Sequence, residues 1–272
     1  MSSTAKDYPA STSIVVEDVS KTFSLRFHRT FKQVTVAKLR GQRTREDFNA
    51  VDHVSFTVEQ GESIGLMGLN GSGKSTLLKL VNGTMRPDTG QVLTRGRIAG
   101  LIATGAGFHP QLSGRDNIYL NAAVFGLTEQ ETKDRFDDIA GFADIGKHLD
   151  SPVGNYSSGM GSRLGFAIAI NVDCDIFLAD EVLAVGDRPF KRKCMEKMEE
   201  IRDSGRTLFY VSHAAASVRK MCDRVLVLDE GRLVFDGDVD EGLAFLNDED
   251  DADPRKVRAG EEELDEELGA DV

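Results

Sequence analysis

The stretch SIGLMGLNGSGKSTLLKLVN, Ser63–Asn82, holds three kinds of local structure in succession. SIGLM (Ser63–Met67) is an apolar run of strand length that enters a glycine-rich turn, and Leu77–Asn82 has helical spacing. Between them, GLNGSGKST (Gly68–Thr76) satisfies the pattern G-x-x-x-x-G-K-[ST]. Gly68, Gly71 and Gly73 let the backbone curl until successive N–H groups point inward at phosphate oxygens, and the following helix adds its positive end. The candidate phosphate-binding residues are therefore Gly68, Asn70, Gly71, Ser72, Gly73, Lys74, Ser75 and Thr76. Lys74 supplies a compact charge to the β- and γ-phosphates, and the Ser75 hydroxyl suits Mg²⁺. A strand before the loop and a helix after it separate this match from a chance glycine-rich loop.

Two other strand ends bring chemistry to such a loop. IFLADE (Ile176–Glu181) is four apolar residues followed by two acids. This is how a buried central strand delivers a metal-binding carboxylate to the sheet edge. Asp180 is expected to hold Mg²⁺ through water, and Glu181 to polarise an attacking water as general base. The alternative is a solvated strand end. TLFYVSH (Thr207–His213) places His213 just past another apolar strand. A lone histidine there is often structural, but beside the first two motifs it suits a contact to the γ-phosphate and the nucleophilic water. The expected catalytic residues are thus Lys74, Glu181 and His213, with Ser75 and Asp180 as metal ligands.

Further strands are expected at Ile14–Phe23 and Val54–Val58, and a hairpin from Val225–Leu228 and Arg232–Phe235. Helical spacing runs through Asn117–His148, Gly161–Asn171 and Arg188–Asp203. Alternating strands and helices predict an α/β architecture with a mostly helical insert around 106–173. The 272 residues are 40% hydrophobic and 29% charged, an ordinary globular composition. No run of 18 apolar residues is present, and the N-terminus lacks the design of a secretory signal, so a soluble intracellular chain is expected. Three cysteines (Cys174, Cys194, Cys222) are too few and too scattered for a disulfide framework or a zinc site.

Charge is concentrated in two places. From Asn247 to Val272 twelve acids face three basic residues, leaving −3 of the total −12 for the rest of the chain. With no aromatic residue this tail is expected to be mostly disordered. Between Phe23 and Phe48 seven basic residues, Arg40 and Arg43 among them, are interleaved with apolar ones. That mixture suits a membrane headgroup layer, an acidic partner or a solvated decoration of the fold.

From about Ile14 to Leu246 these features resemble the nucleotide-binding subunits of ABC transporters, and YSSGM (Tyr156–Met160) is similar to their signature motif. The resemblance implies a P-loop ATPase with a RecA-like core, an antiparallel β subdomain and a helical subdomain over residues 14–246, followed by the acidic tail 247–272. It implies a homodimer with ATP and Mg²⁺ as cofactors, in which the signature of one subunit closes over ATP held by the other's phosphate loop. Ser157 and Gly159 would then contact the partner's γ-phosphate, and Asp187, in AVGD, would couple the two sites. Phe23, in SKTF, fits the aromatic that stacks on adenine, the alternative being a core phenylalanine.

More narrowly, GAGFHPQLSGRDNIYLN (105–121) together with YSSGM and RLGFAIA resembles the ATPases of bacterial polysaccharide exporters, of the O-antigen, teichoic-acid and galactan types. An insertion such as 24–48 is typical of that group and approaches the membrane interface of the permease. The resemblance implies a peripheral subunit on the cytoplasmic face of the bacterial inner membrane, driving a separate permease with a lipid-linked polysaccharide as cargo and no nucleic-acid partner. Two departures stand out. The glutamine usual in the family falls about where Ala103 or Thr104 stands, with Gln111 out of register, so that role has no occupant. A carbohydrate-binding domain of the kind some O-antigen exporters append is replaced by the acidic tail, so recognition of a modified sugar end by this chain is not expected. The competing readings are a non-transport ABC ATPase of translation or DNA repair and a small-molecule kinase. A single signature without heptads speaks against the first, and YSSGM against the second.

Overall fold

The computed structural model describes residues 8–26, 45–100, 107–180 and 187–252. Its strands fall into two sheets. β1 (Thr12–Arg26), β2 (Arg45–Glu59) and β4 (Thr89–Thr94) form an antiparallel sheet in the order β2-β1-β4. The larger sheet takes β5 (Ile98–Gly100), β6 (Ile176–Ala179), β7 (Thr207–Val211), β3 (Ser63–Met67), β8 (Arg224–Asp229) and β9 (Arg232–Asp238), in that order. All its pairings are parallel except the β8–β9 hairpin. This is the predicted α/β class.

β3, β6 and β7 are buried along their whole length, which is why they read as continuous apolar runs rather than as alternation. Their side chains still divide by face. Ile64, Leu66, Leu178, Phe209 and Val211 meet β1 and β2 and the helix α1 (Lys74–Val81), whereas Met67, Phe177, Leu208 and Tyr210 meet the helices of the other side. Those are α5 (Arg188–Asp203), α6 (Ala215–Met221) and α7 (Val239–Ala252), joined by the end of α4 (Ser158–Ile170). Cys174, Cys194 and Cys222 lie within this second layer. Burial pushes their thiols up to about 11, 12 and 12 respectively, which suits packing rather than nucleophilic chemistry.

Between β5 and β6 the chain builds a separate helical core. Ile118 of α2 (Gly114–Val124), Ile139 of α3 (Glu129–Ala143) and Leu164 and Ile168 of α4 are its fully buried centre. The helix expected through 117–148 is therefore divided. Gly126, at φ 81°, turns the chain, and Thr128 and Glu131 form a capping box that starts α3. Ser113 and Asp116 start α2 in the same way.

Several elements are longer than the sequence suggests, or new. β1 and β2 remain paired as far as Arg26 and Arg45, so both ends of the basic insertion continue a hairpin; residues 27–44, with Arg40 and Arg43, lie outside the described residues. β4, β5, α6 and α7 carry no period strong enough to announce them. α7 runs to Ala252, past the start of the acidic segment, while 253–272 lie outside the described residues.

Candidate active site

The parallel register brings three strand ends to one edge. β3 opens into the glycine loop, β6 into Asp180, and β7, which lies between them, into Ser212 and His213. In the loop, Gly68, Gly71 and Gly73 take φ values of 134°, 88° and 108°, which L side chains rarely adopt. Two of them also have no room for a side chain. A Cβ on Gly68 would stand 2.1 Å from the Leu228 carbonyl oxygen, and one on Gly73 2.1 Å from that of Ala50. Gly71 meets nothing within 4 Å, so its glycine answers to conformation alone. Gly73 is the N-cap of α1 and brings no capping side chain, which leaves the first-turn N–H groups for another acceptor.

Lys74 is 8% exposed and folds back over the loop, its Nζ donating to the carbonyls of Gly68 at 2.5 Å and Leu69 at 2.8 Å. Burial pulls its pKa down, and the charge of Asp180 pulls it up. Burial raises Asp180 in turn, against Lys74 and Lys79. An ammonium and a carboxylate taken partly out of water at one sheet edge is an arrangement found at functional sites. Ser72 Oγ is buried with no hydrogen-bond partner.

A cleft of about 270 Å³ opens beside the loop, lined by Asn70, Gly71, Gly73, Lys74, Ser75, Thr76 and Asp180 on one side. Phe23, Phe48 and Ala50 line the other. The Phe23 and Phe48 rings stack with centroids 5.8 Å apart. Phe48 is a residue that sequence reasoning missed. The signal available was its place directly across the hairpin from Phe23, which only strand register reveals. A polar phosphate cradle at one end and aromatic faces at the other fit a nucleoside triphosphate.

Ser157, Gly159 and Asp187 do not line this cleft. Ser157 is the N-cap of α4, its Oγ accepting from Met160 N at 3.2 Å. Tyr156 anchors that end by donating from Oη to the His148 carbonyl at 2.7 Å. Gly114 makes room for it, since a Cβ there would stand 2.1 Å from the hydroxyl. Asp187 is the N-cap of α5. His213 is exposed at the β7 edge, outside the set that lines the cleft, and Glu181 lies outside the described residues.

A family model described as ABC transporter matches residues 51–184. The O-antigen export system ATP-binding protein RfbB of Klebsiella pneumoniae is 46% identical over 68% of this chain and 75% of its own length. The chain belongs to the ABC transporter family. The teichoic acids export ATP-binding protein TagH of Bacillus anthracis is 41% identical over 83% of this chain but only 40% of its own length. A solved ATP-binding subunit of an ABC transporter shares the fold, with a TM-score of 0.67 at 24% identity over 85% of this chain and 91% of that one. The ABC transporter fold thus accounts for both sheets and for the helical layer. The segment where family members usually carry a glutamine, with Ala103 and Thr104, lies outside the described residues; Gln111 is exposed in the turn before α2.

Proposed function

We propose that this chain is the ATP-hydrolysing subunit of an exporter, coupled to a separate membrane permease, with a lipid-linked cell-surface polysaccharide as cargo. The identity with proteins named for O-antigen and teichoic-acid export carries the cargo class. The cleft that joins a phosphate loop, a buried lysine and carboxylate, and two aromatic rings carries the nucleotide. Among the described residues no helix is long and apolar enough to cross a membrane, which fits a peripheral place at the cytoplasmic face beside a permease.

Lining the cleft, Asn70, Gly71, Gly73 and Thr76 wrap the phosphates, with Gly68 and Ser72 shaping the loop behind them, and Lys74 meets the β- and γ-phosphates once released from its loop carbonyls. Phe23 carries the base. Ser75 and Asp180 offer a hydroxyl and a carboxylate, hard oxygen ligands of the kind Mg²⁺ takes beside substrate phosphates. An ion held by Ser75 and Asp180 would supply neutralisation of the charge that develops on the phosphates. Glu181 takes a proton from the attacking water, and His213 orients that water against the γ-phosphate.

Ser157, Gly159 and Asp187 act on the nucleotide of a second copy. Glycine is a poorer helix former than alanine, and among the described residues a Cβ at Gly159 would meet only Ser157 Oγ, at 3.8 Å. Among the described residues no packing calls for glycine there, whereas close approach of a phosphate to a helix N-terminus does.

Tagged Glu181→Gln protein, loaded with ATP and recovered from detergent-solubilised native membranes, is expected to bring down one polytopic permease. Recovery of ribosomes or nucleic acid would overturn the transport reading and leave the ATPase standing. Lys74→Ala is expected to lower hydrolysis by at least ~10²-fold, because it removes a fixed charge aimed at the transition state. Unchanged turnover would remove the loop from the mechanism.

A further inference from the structure

Arg163 lies on the second turn of α4, beyond the YSSGM segment, with 20% of its side chain exposed. Its guanidinium makes contacts on two other helices, α3 and α5. Nη2 donates to Asp187 Oδ1 at 2.6 Å, Nη1 reaches the Asp144 carbonyl at 3.4 Å, and the group lies 4.8 Å from the centre of the Phe190 ring. Asp144 is the left-handed C-cap of α3, and Phe190 stands in the first turn of α5.

Asp187 is the more telling partner. Aspartate at an N-cap ordinarily accepts from the N–H groups of its own helix. Here the backbone takes the capping conformation, φ −74° and ψ 163°, yet no side-chain hydrogen bond caps α5. The carboxylate's close partner is Arg163, whose hydrogen bond is the main cause holding it below the ordinary aspartate range, with the Phe190 N–H of its own helix a lesser contributor. A planar guanidinium clamped between a ring and a carboxylate fixes direction as well as distance, which an ammonium on a flexible stem does not.

We propose that Arg163 is a positioning residue that fastens Asp187 to the Ser157 helix, so that both approach the partner subunit's nucleotide as one unit. The inference rests on the paired-site reading above. In that reading Ser157 and Gly159 sit at one end of α4 and Asp187 at one end of α5, with Arg163 as a direct link between the two elements.

The test is a double-mutant cycle in the full-length protein. Arg163→Gln is expected to lower kcat about tenfold and move KM for ATP less than about twofold, with the nucleotide-free melting temperature retained. Arg163→Lys, which keeps the charge, should recover part of kcat. Because the two residues act as a pair, Arg163→Gln with Asp187→Asn should be no slower than the worse single variant within about twofold. In a Glu181→Gln background, Arg163→Gln should raise the ATP concentration needed for dimer formation in sedimentation experiments. Wild-type turnover in Arg163→Gln, or effects that multiply with those of Asp187→Asn, would overturn the proposal. Should Arg163→Gln fail to fold, the same cycle run with Arg163→Lys decides the matter by the same criterion. Failure of the Glu181→Gln parent itself to dimerise with ATP would instead defeat the paired site, and this proposal with it.

Discussion

At the residue scale, the glycine loop shows that identical residues in one motif answer to different constraints. Gly71 needs only a left-handed backbone, so Gly71→Ala is expected to cost about 1–2 kcal/mol in stability, read by thermal or chemical unfolding. Gly73 has the Ala50 carbonyl 2.1 Å from any Cβ, so Gly73→Ala must push β2 from the loop. It is expected to abolish nucleotide binding in a fluorescent-nucleotide titration, where Gly71→Ala, which leaves β2 in place, lowers affinity less. Aromatic stacking gives a third outcome. Phe23→Ala should raise KM for ATP about 3–10-fold while inhibition by inorganic tripolyphosphate, which has no base, stays unchanged. Equal weakening of both would return Phe23 to the core.

At the element scale, one side chain organises the turn that leads into α2. Asn117 is completely buried; its Oδ1 accepts from His109 N at 2.7 Å, and its Nδ2 donates to the carbonyls of His109, Leu112 and Ser113. Asn117→Ala takes the acceptor from the His109 N–H, while the three carbonyls keep backbone donors in Leu112, Val153 and residue 117 itself, and a loss of about 1–3 kcal/mol is expected from denaturant unfolding. The GFHPQLSGRDN run therefore has a structural cause at its last residue, whatever its exposed positions contact. Pairing also made strands where the pattern was weak. β4 is mostly exposed and contains a glycine, yet it pairs with β1 from Ile14↔Thr94 to Glu17↔Gln91 and, past an irregularity at the glycine, at Ser20↔Thr89. Its stability belongs to the pair, and a single segment does not display it.

At the scale of the whole molecule, the large sheet is the common support for loop, carboxylate and histidine. Phe209 is completely buried at its centre, with its ring 6.1 Å from that of Phe56 in the small sheet. Phe209→Ala is expected to cost about 3–5 kcal/mol and to lower nucleotide affinity and stability together. Retained stability would mean that the cavity refills. The C-terminus divides differently. Leu243 of α7 is buried in the layer that α7 forms against β8 and β9, and Leu246 packs on that layer. Truncation after Ala252 should therefore leave melting and ATPase rates unchanged, whereas truncation before Val239 should destabilise the sheet. A loss of ATPase on the shorter cut would assign residues 253–272 a role in the cycle.

Local chemistry was enough to determine the strand–loop–helix at Ser63–Asn82, the acid-tipped strand at Ile176–Asp180 and the buried run at Thr207–Val211. Each is a contiguous segment whose composition has one physical solution: an apolar strand buried on both faces, or a glycine turn forced to positive φ. The tertiary structure decided what depends on chains meeting. It set Phe48 beside Phe23 across a hairpin, gave β4 and β5 their partners and carried the last helix into the acidic segment. It also brought Arg163 to Asp187 at the head of α5. These contacts join residues far apart in the chain through register and side-chain direction, and neither property is written in the local period of hydrophobicity.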